Sequence, residues 1–140
     1  MRPGGGWASE SVGARRLISS GGPWEAAAGY SRAVAVGRSC WVAGTTDAGP
    51  DGRSRHPGDP GGQARAAFGV IERALGEAGF GLGDVVRTRL FVTDMGRSAE
   101  VLAVHGEVFA GIRPAATIVE VGRLIEPSLM VEVEVEARRG

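Results

Sequence analysis

Valine and glutamate alternate through Val131, Glu132, Val133, Glu134, Val135 and Glu136. A period of two puts the valines on one face of a strand and the glutamates on the other, so residues 129–137 are predicted as a strand with one buried face. The same reading predicts a strand over 84–93, with Val86, Leu90 and Val92 on one side and Arg87, Arg89 and Phe91 on the other. Residues 115–121 form a further predicted strand, and 15–20 a short first one. The runs 30–36 and 39–45, rich in valine and aromatics and joined by Gly37-Arg38, read as a β-hairpin. Two segments change period. After Asp59-Pro60, an N-cap followed by proline at the first helical position, Ala67, Phe68, Ile71, Ala74, Leu75 and Ala78 recur at helical spacing until Gly79. A second helix is predicted from about Arg97, burying Val101, Leu102, His105, Val108 and Phe109.

The order β-β-β-α-β-α-β-β predicts an α+β fold, a single mixed sheet with two helices on one face. Residues 47–62 hold too much Gly, Pro and Asp for either element and read as a long loop. Residues 1–14, rich in Gly, Pro and Ser, are expected to be a poorly ordered tail ahead of one domain over 15–140. If the helices cover the valine face, parity gives the other face Arg87, Arg89, Ala116, Ile118, Glu120, Glu132, Glu134 and Glu136. That face is charged but balanced in sign, which suits solvated cross-strand pairs or, in a sharper reading, a surface between subunits.

Composition narrows the partners. At 140 residues, with 16 Lys+Arg against 16 Asp+Glu, the chain has no excess charge to attract nucleic acid or anionic lipid. Its single cysteine, Cys40, excludes a disulfide framework and any multi-cysteine metal site. The opening MRPGGGWASE has no apolar run of signal-peptide length, and no segment reaches the ~18 apolar residues of a membrane span. A cytoplasmic protein with no membrane contact is expected.

Candidate chemistry is sparse. His56 and His105 stand alone, without the spacing of a metal site, and no phosphate-binding glycine motif is present. Asp47, Asp51 and Asp59 would repel phosphate from the long loop, so no metal and no cofactor are expected. Cys40 reads as a small buried residue and His105 as a hydrogen-bonded core histidine. Glu132 is the residue chemistry could use, because a carboxyl group beside apolar walls is pushed toward protonation and can trade protons near neutral pH. By pattern alone, a solvated strand face is the simpler explanation of it.

In order, GYSRAV (29–34), VGR (36–38), AGTT (43–46), QARAAF (63–68), DVVRTRLFVTDM (84–95), RPAATIVEVGRL (113–124) and VEVEVEA (131–137) resemble the RidA/YjgF family. The resemblance runs from Pro23 onward, and PWEAAAGYSRAV with AGTT and RLIEP is most similar to RidA-like subgroups rather than RidA proper. It implies a fold similar to chorismate mutase, assembled as a homotrimer with clefts between subunits. It also implies a small-molecule ligand and cofactor-independent hydrolysis of reactive enamines and imines to a carbonyl compound and ammonia. Tyr30 matches the family's cleft tyrosine, Gly44 the backbone lining the pocket, and Glu132 the glutamate that positions or activates water. Thr45, Trp24, Arg89 and Phe91 are further candidates for contact with substrate. Two departures stand out. Ala116 occupies the place of the arginine that holds the substrate carboxylate, and Ala43 the place of a serine. These readings leave an imine or enamine hydrolase acting on something other than a simple α-imino acid, in a catabolic or biosynthetic pathway, or a non-catalytic trimer that binds a small ligand or a protein. Ribonuclease activity, an older attribution in the family, fits poorly with neutral charge and no basic stripe.

Overall fold

The structure, a computed structural model, describes residues 6–140. Its seven strands are β1 (Ala8–Val12), β2 (Arg15–Ser19), β3 (Ala33–Val36), β4 (Ser39–Thr45), β5 (Val85–Val92), β6 (Ala115–Glu120) and β7 (Val131–Arg138). They form one sheet in the order β1-β2-β3-β4-β7-β5-β6. Every neighbouring pair is antiparallel except β5 and β6, which run parallel. Three helices accompany it: α1 (Pro23–Ala28), α2 (Pro60–Glu77) and α3 (Ser98–Phe109). This is the expected α+β arrangement. Among the described residues, no helix is long and apolar enough to cross a membrane.

The valine face of β7 makes the core. Val131, Val133 and Val135 are buried with Leu90 and Val92 of β5, Ala33 and Ala35 of β3, and Val42 of β4. Helix α2 supplies Ala64, Ala67, Phe68, Ile71, Ala74 and Leu75 to that cluster, and α3 supplies Val101, Val104 and Phe109. Asp59 caps α2 as expected, its side chain accepting from the Gly62 backbone N–H, with Pro60 opening the helix. The β3–β4 hairpin turns at Gly37, whose φ of 57° is the left-handed value such a turn requires.

Several expectations are corrected. Ala8–Val12, inside the segment read as a tail, is a strand paired to β2, while residues 1–5 lie outside the described residues. Its residues are mostly exposed, so backbone pairing rather than burial holds it and no apolar pattern marks it. Helix α1 is only six residues long, too short to show a period. In β5 a register irregularity between Val85 and Arg87 turns Val85 inward and leaves Val86 half exposed. On α3 it is Val104, not Leu102, that packs inward.

The largest correction concerns β6. Its parallel register sets Ala116 beside Thr88, Ile118 beside Leu90 and Glu120 beside Val92. These three therefore share the helix-covered side, and Ile118 packs on the core. Ala115, Thr117 and Val119 share the open face with Arg87, Arg89 and Phe91. Strand β6 is an edge strand with most of its residues exposed, so alternation along it carries no sign of which side is inward.

Candidate active site

The open face is a ladder of cross-strand pairs. Glu136 lies between Trp41 and Arg87, Glu134 opposite Arg89, and Glu132 opposite Phe91. Arg87 pairs with Glu136 at 3.5 Å, while Arg89 reaches Glu134 at 3.6 Å and Glu136 at 3.7 Å. Glu132 has no such cation within ion-pair distance among the described residues. It looks instead toward the irregular end of β4, where the pairing with β7 slips between Val42 and Thr45.

That slip makes room for the carboxyl group. A Cβ built on Gly44 would lie 1.9 Å from Glu132 Oε2, so only glycine leaves the space that this carboxyl occupies. Half buried there, Glu132 is pushed above the usual carboxylate range by loss of water, an effect partly opposed by the positive charge of Arg32 and reinforced by Glu134. Arg32 Nη2 donates to the Gly44 carbonyl at 2.6 Å, and its guanidinium sits 5.7 Å from the centre of the Tyr30 ring. Tyr30 and Arg32 lie in the short irregular segment between α1 and β3, and both side chains line the cleft.

These groups line one cleft of about 600 Å³. Its walls come from α1 and the turn before it, from the loop after β4, and from the segment leading into β7. In the first wall, Glu25 is buried and its carboxylate accepts from the Ser20 N–H and hydroxyl, which ties the start of α1 to the turn before it, while Trp24 is exposed on the cleft lining. In the second, Asp47 is buried and gathers the loop: its Oδ2 accepts from Ser54 Oγ at 2.8 Å, from the backbone N–H of Arg55 and His56, and lies 3.0 Å from His56 Nδ1. Gln63 ties the second and third walls together. Its Nε2 donates to His56 O and Ser128 O, and its Oε1 accepts from the Met130 N–H at 2.7 Å.

Of the candidate residues, Glu132, Tyr30, Gly44, Thr45 and Trp24 line this cleft. Thr45 shapes the wall from beneath, being buried with its hydroxyl donated to Ala43 O. Arg89 is engaged by strand glutamates, Phe91 flanks Glu132 on the β5 side, and Ala116 stands on an edge strand two strands from β7. None of these three lines the cleft of a single chain. Sequence reasoning missed Arg32 and Arg55, which do line it, and the buried Glu25. For the first, the available signal was its position two residues after the cleft tyrosine Tyr30.

The two side chains with separate readings also fall into place. Cys40 is buried, and burial raises its thiol to about 11, the value of an inert packed cysteine. His105 lies 2.8 Å from Thr88 Oγ1 and packs against Phe68 and Phe109, with burial lowering its pKa. Among the described residues, no group of three or more His, Cys, Asp or Glu side chains is placed to hold a metal ion.

Comparison with known proteins places this geometry. The family described as Endoribonuclease L-PSP matches residues 22–139. The uncharacterized protein SCO2049 of Streptomyces coelicolor is 40% identical over 132 residues, covering 94% of this chain and 96% of that protein. Among solved structures, Rv2704 of Mycobacterium tuberculosis, described as a member of the YjgF/YER057c/UK114 family, is 48% identical with a TM-score of 0.82, covering 89% of this chain and 99% of its own. TdcF of E. coli, solved with bound serine, is 26% identical with a TM-score of 0.71, covering 79% of this chain and 88% of its own. Both the sequence match and the shared sheet show that the chain belongs to the RidA/YjgF family.

Proposed function

We propose that the protein is a cofactor-independent hydrolase of imines and enamines, with Glu132 as the proton-transfer group. The observation that carries this reading is the half-buried Glu132 carboxyl, raised toward protonation by loss of water and seated against Gly44 in a cleft. An imine needs a proton on nitrogen before water can add at carbon. Protonated Glu132 supplies it, and the resulting carboxylate takes a proton from the attacking water, leaving a neutral carbinolamine. Glu132 then protonates the amine nitrogen, the C–N bonding pair leaves with ammonia, and the hydroxyl proton returns to the carboxylate. The sum is imine plus water giving carbonyl compound plus ammonia. An enamine enters the same course after protonation at its terminal carbon. Tyr30 lines the cleft as a hydrogen-bonding group for these intermediates.

The bound serine of TdcF supports a small ligand with amino-acid chemistry. The exposed Trp41 and Val119 on the open face support assembly into a homotrimer through that face. A binding protein without catalysis is the alternative. The test is to generate the imines of large apolar amino acids, such as phenylalanine, with an L-amino-acid oxidase and follow their loss by semicarbazide trapping. Wild type should speed that loss, and Glu132→Gln should slow turnover by ~10²–10⁴-fold, as for a lost general acid or base. Equal rates for the two proteins would leave the binding reading in its place.

A further inference from the structure

We propose that Arg32 is the anion anchor of the cleft: its guanidinium receives a carboxylate carried by the ligand, in the same subunit as Glu132, and selects acids over their neutral counterparts. For substrates this rests on the hydrolase reading above; for binding it does not.

The argument begins with unspent donors. A guanidinium carries five N–H groups. Among the described residues Arg32 makes one hydrogen bond, to Gly44 O, and its buried Nε has no partner. It also makes no ion pair there, and it is partly buried, whereas the other described arginines without an ion pair are exposed. A partly buried cation without a counter-ion is costly, and an incoming carboxylate relieves that cost through charge-assisted hydrogen bonds. The group is also pre-positioned. The bond to Gly44 O and the Tyr30 ring at 5.7 Å hold it, so little side-chain freedom is lost on binding.

Its place suits the chemistry at Glu132. Arg32 is near enough for its charge to act on that carboxyl, yet the two form no ion pair. An acid bound at Arg32 would therefore bring its reacting carbon beside the glutamate instead of competing with it. The other cation lining the cleft, Arg55, is exposed on the long loop and lacks this fixation. Cleft size names the rest of the ligand. About 600 Å³ falls within the ~300–1,000 Å³ typical of sites for drug-sized molecules, so a three-carbon acid would leave most of it empty. Trp24 and Ile125 line it with large exposed apolar surfaces. The ligand class is thus a carboxylic acid with an apolar or aromatic body.

Calorimetry with the purified full chain tests this, using 3-phenylpropanoate and its neutral isostere 3-phenylpropanamide as probes. Wild type should bind the acid more tightly than the amide. Arg32→Gln, which keeps an N–H for Gly44 O but removes the charge, should weaken acid binding by about 10- to 100-fold while leaving the amide unchanged. Arg32→Lys should fall between, and Arg55→Gln should weaken acid binding less than Arg32→Gln does. No binding of the acid to wild type, equal losses for acid and amide, or a loss that follows Arg55 would overturn the proposal. Its fate is separable from that of the hydrolase reading. Acid selectivity that depends on Arg32 in a protein without imine turnover refutes only the hydrolase. Glu132-dependent turnover whose KM for anionic imines is untouched by Arg32→Gln refutes only the anchor.

Discussion

Adding one methyl group at Gly44 should disable the site while leaving the fold intact. The Cβ of Gly44→Ala would fall 1.9 Å from Glu132 Oε2, 2.9 Å from Cδ and 3.3 Å from Cγ. To restore the 3.4 Å of ordinary contact the carboxyl must retreat by about 1.5 Å. The atoms displaced are the far end of a flexible side chain, and the Gly44 backbone is not in the left-handed region, so alanine meets no backbone strain. Alanine also reduces the freedom of the unfolded chain, which favours folding by ~0.4–1 kcal/mol and offsets the cost of moving Glu132. Melting temperature should therefore stay close to wild type. Catalysis has no such tolerance, because a misplacement of ~1 Å costs about 10²-fold. Steady-state turnover of an oxidase-generated imine reads the loss, and a double variant assigns it. If the methyl acts only through the carboxyl, Gly44→Ala combined with Glu132→Gln will be no slower than Glu132→Gln alone. Turnover near wild type in Gly44→Ala would refute the claim that this gap seats the reacting group, and a collapse in melting temperature would show the clash to be borne by the backbone.

Glu132 should also destabilise the fold when ionised. A carboxyl whose folded pKa is raised contributes stability below its unfolded value, near 4.5, and loses it as pH climbs through the folded value. The melting temperature of Glu132→Gln should accordingly gain on wild type between pH 4 and pH 8, and a constant difference would contradict the burial argument. With 2-aminoacrylate made in situ by a serine dehydratase, wild type should add little to spontaneous pyruvate release, since so small an acid fills little of the cleft. Robust acceleration would show that neither cleft size nor the alanine at position 116 sets specificity. Sedimentation equilibrium at micromolar concentration should give three chain masses, and a clean monomer would remove the open sheet face as an assembly surface.

What the sequence disclosed depended on whether an element had one wet and one dry side. Strand β7 and helix α2 have both, and their alternation and cap signals lead directly to the observed elements. Strand β1, exposed along most of its length, and α1, under two turns long, offer no period to read. Strand β6 misled for the same reason: exposed at the sheet edge, it carries apolar residues on both sides. In the site, Glu132 was legible as a carboxylate in a valine strand, and Tyr30 and Gly44 through their family motif. Arg32 was not, because an arginine at a bend before a strand looks like any solvated cation until its neighbours are known. Only the fold shows that Gly44 O, and no carboxylate, meets it.

The three hydrogen bonds of Gln63 make the width of the cleft a property of one buried amide. The loop after β4 and the segment entering β7 are far apart in sequence, yet each hangs from the same side chain on the first turns of α2. Opposing walls therefore cannot drift separately without breaking an interior hydrogen bond. Exposed residues near the tethers, such as Arg55 and Ile125, take no part in these bonds. Such a construction would let the rim change its side chains while the gauge of the opening stays set by Gln63.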